Sequence, residues 1–339
     1  MSRAPLTHEV LRIDEAAEIE RITVRLRSVV AEKLRRRGLV VAISGGIDSS
    51  CCAALAVRAL GHDRVLGLIM PEHDSSESSA QRAHMLAEHL GIEVVEQNIA
   101  QTLEAIGCYR WRDEAIRRAL PAYGPGWRMK IAIAGGLSGQ INHFRLIARS
   151  PDGETTTMRL GLREYLQIVA ATNFKQRIRK TLDYFHADRL NYAVVGTPNR
   201  LEYDQGFFVK NGDGSADVKP IAHLYKTQVY TLARHLGLPE EICTARPTTD
   251  TYSLSQGQDE FFFALPYDRM DLALWARDNE VPSPVVASTL GISEASAEYI
   301  YGDIDAKRRA ATYLHAPPVV LDLRITTAPA GATGPPDRG

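Results

Sequence analysis

Residues 39–43 (LVVAI) and 65–70 (VLGLIM) are continuous apolar runs of strand length, with no polar residue alternating through them. A strand written this way is buried on both faces, the mark of a parallel sheet covered by helices on each side. Parallel neighbours need long crossovers, and the intervening residues supply them. Ile19, Ile22, Leu26, Val29, Val30 and Leu34 recur every three or four residues and predict an amphipathic helix over 8–37, stopped by Gly38. A small-residue helix after residue 49 closes at Gly61, a second helix covers 78–90, and 91–99 (GIEVVEQNI) forms a third strand. The rhythm returns with a helix over 163–186, a strand at 192–196 (YAVVG) and a helix over 226–237. The expected fold class is α/β: an open, mostly parallel, doubly wound sheet.

Residues 100–165 break this rhythm. They hold a helical stretch at 111–120, then Pro121, Gly124, Pro125 and Gly126, and a Gly-rich piece at 135–139. Residues 144–148 and 155–160 flank Ser150-Pro151-Asp152-Gly153, a turn that predicts a β-hairpin. We read the segment as an insertion into a single domain spanning 1–323, followed by a Pro-, Gly- and Ala-rich tail at 324–339 expected to be disordered. Lys+Arg 40 against Asp+Glu 41 leaves no basic field for wholesale binding of nucleic acid or an anionic membrane. No apolar run approaches a membrane span, and the first ten residues lack a signal-peptide pattern. Cys51, Cys52, Cys108 and Cys243 form no C-x-x-C pair, so buried, reduced thiols in a soluble cytoplasmic protein are expected.

The chemistry concentrates first in Ser44-Gly45-Gly46-Ile47-Asp48-Ser49, between a buried strand and a helix. Two glycines let the backbone approach a phosphate, and the following helix turns its unpaired N–H groups toward it. Ser44 and Ser49 add hydroxyls, and Asp48 a carboxylate suited to Mg²⁺. No Gly-Lys-Ser/Thr follows, so this is not a Walker A loop. The second concentration is cationic: five of the eight lysines (Lys175, Lys180, Lys210, Lys219, Lys226) fall between 175 and 226, favouring an anion-handling region.

The six-residue string resembles the pyrophosphate-binding loop of the N-type ATP pyrophosphatases, which split ATP between its α- and β-phosphates and activate a carboxylate or carbonyl as an adenylate. The later strings narrow that resemblance. They are NFKQRIR at 173–179, GTPNRLE at 196–202, GFFVK at 206–210, NGDGSAD at 211–217, LYKTQ at 224–228 and PTTD at 247–250. In this order they are similar to the ammonia-dependent NAD synthases, over about residues 20–320. The resemblance implies an adenine nucleotide alpha hydrolase-like sheet and a homodimer using ATP and Mg²⁺ to amidate deamido-NAD (nicotinic acid adenine dinucleotide) with ammonia. It implies that Ala42, Ile43, Ser44, Gly45, Gly46, Ile47, Asp48 and Ser49 hold ATP phosphates, with Thr197, Lys226 and Thr248 also on ATP. It places Mg²⁺ on Asp48 and Glu202, the dinucleotide on Arg177, Lys210, Asp217 and Lys307, and Asp213 where ammonia arrives. Ala306 stands where the family's C-terminal His-Lys-Arg motif has histidine. No length remains for an N-terminal glutaminase, so free or separately delivered ammonia is expected.

These residue types suit the reaction. A carboxylate attacking the α-phosphorus needs the charge on phosphate oxygens neutralised, which cations supply without a covalent protein nucleophile. Asp48, Asp213 and Lys226 are the expected catalytic groups. Two other readings stay open at the sequence level: an adenylating amidoligase for a different small acid, and a non-catalytic nucleotide-binding module on the same sheet.

Overall fold

The computed structural model describes residues 6–134, 143–247, 252–254, 257, 262 and 265–321. The tail at 324–339 and the Gly-rich piece at 135–139 lie outside them. Helix α1 (Glu15–Ser28) starts at Asp14, whose carboxylate accepts the Ala17 N–H at 3.0 Å. The helix expected over 8–37 is interrupted: a 3-10 turn (His8–Leu11) precedes α1 and a single π turn (Val29–Lys33) follows it. Then come β1 (Leu39–Ala42), α2 (Ile47–Leu60), β2 (Val65–Ile69), α3 (Glu77–Leu90) and β3 (Glu93–Glu96).

The insertion contains α4 (Ala100–Ile106), α5 (Cys108–Ala119), β4 (Arg128–Ala134), β5 (His143–Arg149) and β6 (Thr155–Arg159). The expected hairpin is β5–β6, and β4 adds an antiparallel strand that residues 128–134 gave no turn signal to announce. Ile116, Met129, Ile131, Leu146 and Ile168 give this sheet its own core. Helix α6 (Leu162–Leu190) returns the chain to β7 (Ala193–Val195), followed by α7 (Arg200–Gln205), α8 (Lys226–His235) and α9 (Glu240–Cys243). Helices α10 (Tyr267–Asp278), α11 (Ser283–Leu290) and α12 (Glu294–His315) bury Leu272, Ile300 and Ile304 against Leu11 and Leu201.

The main sheet runs β3-β2-β1-β7, parallel throughout. Val41 is in register with Gly67 on one side and Val195 on the other. Strands β1, β2 and β7 are almost wholly buried, as their unbroken apolar runs require, whereas β3 at the edge is half exposed. Between β1 and β7 the winding reverses, and in open α/β sheets ligands bind outside the carboxyl ends of the strands at such a reversal.

A buried ionic network ties the insertion to the loop after β2. Lys175 on α6 donates to Glu72 at 3.1 Å and to Asp74 at 2.5 Å, and Arg112 on α5 donates to Asp74 at 2.7 Å. The Tyr109 hydroxyl donates to Glu72 at 2.8 Å. All four cysteines are buried and unbridged. Among the described residues, no helix is long and apolar enough to cross a membrane.

Candidate active site

The turn from β1 to α2 is shaped by glycine and serine. Gly45 has a φ of +75°, a backbone state that side chains resist, and a Cβ there would lie 2.2 Å from the Ser79 carbonyl oxygen. Ser49 Oγ accepts the Ser44 N–H at 3.2 Å and donates to the Gly46 carbonyl at 3.1 Å. Arg82 of α3 clamps the loop from outside, donating to the Gly45 carbonyl at 2.9 Å. The α2 N-terminus therefore opens onto a preformed cradle, the arrangement that receives phosphate.

Asp48, in the first turn of α2, points across the crevice to the β7 side. Its carboxylate accepts from Asn199 Nδ2 at 3.1 Å and from the Lys226 ammonium. Asn199 and Glu202 form a capping box at the start of α7, each side chain accepting the other's backbone N–H at 3.1 Å. Burial and the neighbouring Asp48 charge push the Glu202 carboxyl up to about 8, against the pull of Lys226. Burial opposes the Lys226 charge, but Asp48 and Glu202 outweigh it and raise the ammonium's pKa. Lys226 is 1% exposed and stays charged because two carboxylates face it.

Asp271 of α10 supports this lysine from behind, accepting the Thr227 N–H at 2.8 Å at the start of α8. Burial pushes its carboxyl up to about 6, against the hydrogen bonds from Thr227. Because the folded value exceeds the unfolded one, its contribution to stability is complete at low pH and is lost as pH rises through about 6. Asp271→Asn keeps an acceptor for Thr227 without the buried charge. Its stability relative to the parent should rise between pH 4 and pH 7 by about 1–3 kcal/mol. Urea unfolding at both pH values tests this, and a stability difference from the parent that stays the same at pH 4 and pH 7 would contradict it.

The cradle opens into a cavity of about 870 Å³. Ala42, Ile43, Ser44, Gly45, Gly46, Ile47, Asp48, Ser49, Thr197, Glu202, Asp213, Lys226 and Lys307 all reach its wall, so most of the sequence-identified residues converge there. One face of α6 forms a long side of it. Tyr165, Val169, Thr172, Gln176, Arg179 and Asp183 repeat at helical spacing and span roughly 27 Å at 1.5 Å per residue. Asp213 Oδ1 accepts the Val209 N–H at 2.7 Å, and Lys307 donates to Asp303 at 2.6 Å and to the Phe262 carbonyl at 2.5 Å.

Other sequence-identified residues stand elsewhere. Lys210 donates to the Tyr313 and Ala316 carbonyls at 2.7 and 2.9 Å, at the end of α12. Asp217 accepts the Val194 N–H at 2.7 Å beside β7, and Arg177 donates to the Lys210 carbonyl at 3.3 Å. None of these three is among the described residues lining the cavity. Thr248 lies outside the described residues. Lys175, counted with the anion-handling lysines, is consumed by the Glu72–Asp74 network instead.

The cavity also recruits residues that the sequence motifs do not single out. Asp183 is one, paired at 2.8 Å with Lys180 of the lysine cluster, which also lines the cavity; Phe144 and Tyr252 are others, from segments with no nucleotide-binding signature. Lys180 was marked by the lysine cluster, whereas the only signal for Asp183 is its i+4 spacing from Arg179 on one helical face.

Comparison with known proteins follows the same lines. The family model described as NAD synthase matches residues 18–136 and 152–309. A relative from Rhizobium meliloti called "NH(3)-dependent NAD(+) synthetase" is 54% identical over 94% of this chain and 96% of its own length. One of the same name from Mesorhizobium japonicum is 55% identical over 92% of this chain and 98% of its own. Among solved structures, an NH3-dependent NAD synthetase from Campylobacter jejuni superposes with a TM-score of 0.59 at 21% identity, covering 91% of this chain and all of that one. At that identity the superposition speaks for the fold.

Proposed function

This chain belongs to the NAD synthase family, and from that premise we propose that its cavity carries out the ATP-dependent amidation of deamido-NAD by ammonia, releasing AMP and pyrophosphate. The observation that carries the reading is the Asp48–Lys226–Glu202 cluster set at the mouth of the phosphate cradle. The substrate carboxylate attacks the α-phosphorus of ATP, the α–β bridging P–O bond breaks and pyrophosphate leaves. The cradle N–H groups, with Ser44 and Ser49, hold the phosphates, while Lys226 faces the charge building on the phosphate oxygens. Ammonia then forms the C–N bond at the acyl carbon, and the C–O bond to AMP breaks. We assign the ammonium proton to Asp213, a reading supported by its place on the cavity wall.

Asp48 and Glu202 offer the hard oxygen donors that Mg²⁺ prefers, with its other ligands drawn from phosphate and water. Burial first, and then repulsion from Asp48, push Glu202 up to about 8, and a divalent cation would relieve that repulsion. Such an ion would neutralise the phosphate oxygens during transfer. We assign the ATP contacts to Ala42–Ser49, Thr197, Lys226 and Thr248, and the dinucleotide contacts to Arg177, Lys210, Asp217 and Lys307. Since Arg177, Lys210 and Asp217 stand off the cavity of one chain, this assignment calls for a homodimer whose second subunit completes the dinucleotide site. Leu162 and Leu166 on α6, 73% and 55% exposed, supply apolar surface for it. A one-chain mass in sedimentation would contradict the dimer. Four reduced thiols accord with a cytoplasmic location, which cell fractionation tests.

Purified protein given ATP, Mg²⁺, ammonium and deamido-NAD should form NAD and AMP in equal amounts, and lose both on chelation of the metal or in Asp48→Ala. Binding of ATP with no NAD formed would leave the phosphate cradle standing and overturn the substrate.

A further inference from the structure

The insertion brings an aromatic surface into the cavity. Phe144 of β5 stacks on Tyr165 of α6 with ring centroids 3.6 Å apart and planes inclined by 14°. Both rings are only partly buried, and both line the same cavity as the phosphate cradle. Tyr252 adds a third ring, in the same core cluster. The insertion itself holds Tyr252 there: Ser253 Oγ accepts the Met129 N–H at 2.8 Å, the Leu254 N–H donates to the Met129 carbonyl at 3.0 Å, and Arg128 donates to the Ser253 carbonyl at 2.7 Å. Two and three turns further along the same face of α6, Thr172 and Gln176 present hydrogen-bonding groups to the cavity.

We propose that the Phe144–Tyr165 stack is a ring-binding wall for the heteroaromatic ring of a nucleotide substrate, and that β5 is thereby part of the substrate site. Three facts favour a ring over another group. A flat aromatic pair with open surface attracts a further π-face and discriminates little between bases. The polar side chains further along the same helical face suit the hydrogen-bonding groups of a nucleotide, which a hydrocarbon would leave unpaired. The wall also lines the same cavity as the phosphate cradle, where a ring tethered to those phosphates must lie. The ring belongs to ATP or to the dinucleotide; the chemistry is shared, and the test separates the two.

This inference rests on the amidation reading, so binding and turnover are measured separately. In Phe144→Leu, which keeps apolar volume but removes the π-face, calorimetry should show about tenfold weaker binding of one of the two nucleotides. The matching KM should rise by the same factor, with kcat and the KM for ammonium within twofold of the parent. A weakened ATP arm assigns the ring to ATP, and a weakened deamido-NAD arm assigns it to the dinucleotide. Phe144→Trp should restore binding, a rescue that a purely structural role does not predict. Unchanged affinities for both nucleotides in Phe144→Leu would overturn the wall, as would loss of both together with a lowered melting temperature and no rescue by tryptophan. If the parent binds nucleotides but forms no NAD, the amidation reading fails while the calorimetric arms still decide the wall.

Discussion

Lys226→Met should lower kcat by a factor of about 10³ and destabilise the protein. The lysine is fully buried, sits on Asp48 and faces Glu202, so methionine fills its volume while leaving two acids without their cation. Breaking a buried ion pair from one side costs about 3–5 kcal/mol. Glu202 will meet part of that cost by holding its proton more tightly. Its folded value already stands above the unfolded one, so its stabilising contribution is lost as pH rises through about 8. The variant should therefore lose stability more steeply than the parent between pH 6 and pH 9 in urea titrations. The catalytic loss has a separate origin, because one preorganised charge facing a phosphoryl transition state is worth about 10²–10³ in rate. A kcat within tenfold of the parent would remove Lys226 from the reaction.

Gly45→Ala should raise the KM for ATP by at least about a hundredfold while costing only about 1–3 kcal/mol of stability. The added methyl would sit 2.2 Å from the Ser79 carbonyl oxygen, and the φ of +75° disfavours any side chain. Neither backbone can yield alone. Arg82 joins the two segments, donating to the Gly45 carbonyl at 2.9 Å and to Ser79 Oγ at 3.2 Å. The strain must open the cradle, and the phosphate N–H groups move with it. An unchanged KM for ATP would show that the loop tolerates the displacement and that the cradle is not the phosphate site.

The parallel sheet was legible because 39–43 and 65–70 admit no other environment, and the cradle because six residues carry its turn chemistry together. Helix α6 was legible as a helix but not as the cavity's long wall. Its lining face mixes Tyr165, Val169, Thr172, Gln176 and Arg179, so neither hydrophobic period nor charge marks it. Strand β4 pairs with its sequence neighbour β5 but escaped because its other edge is satisfied by residues 253–254, more than a hundred positions away. Lys175 misled for the opposite reason. Its neighbours in sequence are cations, but its partners, Glu72 and Asp74, come from the far side of the sheet order. Helices α10 to α12 carry mixed faces that resolve only once Leu6 and Leu11 pack against them.

The network around Lys175 bears on how this protein can be shortened. Glu72 and Asp74 lie in the loop that carries Ser75 and Ser76 to the cavity, and two of their partners, Tyr109 and Arg112, belong to the insertion. Excising residues 108–160 would strip those partners and leave two interior acids to a single lysine. A trimmed enzyme would need Glu72 and Asp74 replaced in the same step, so the segment and the loop after β2 can be altered only as a pair.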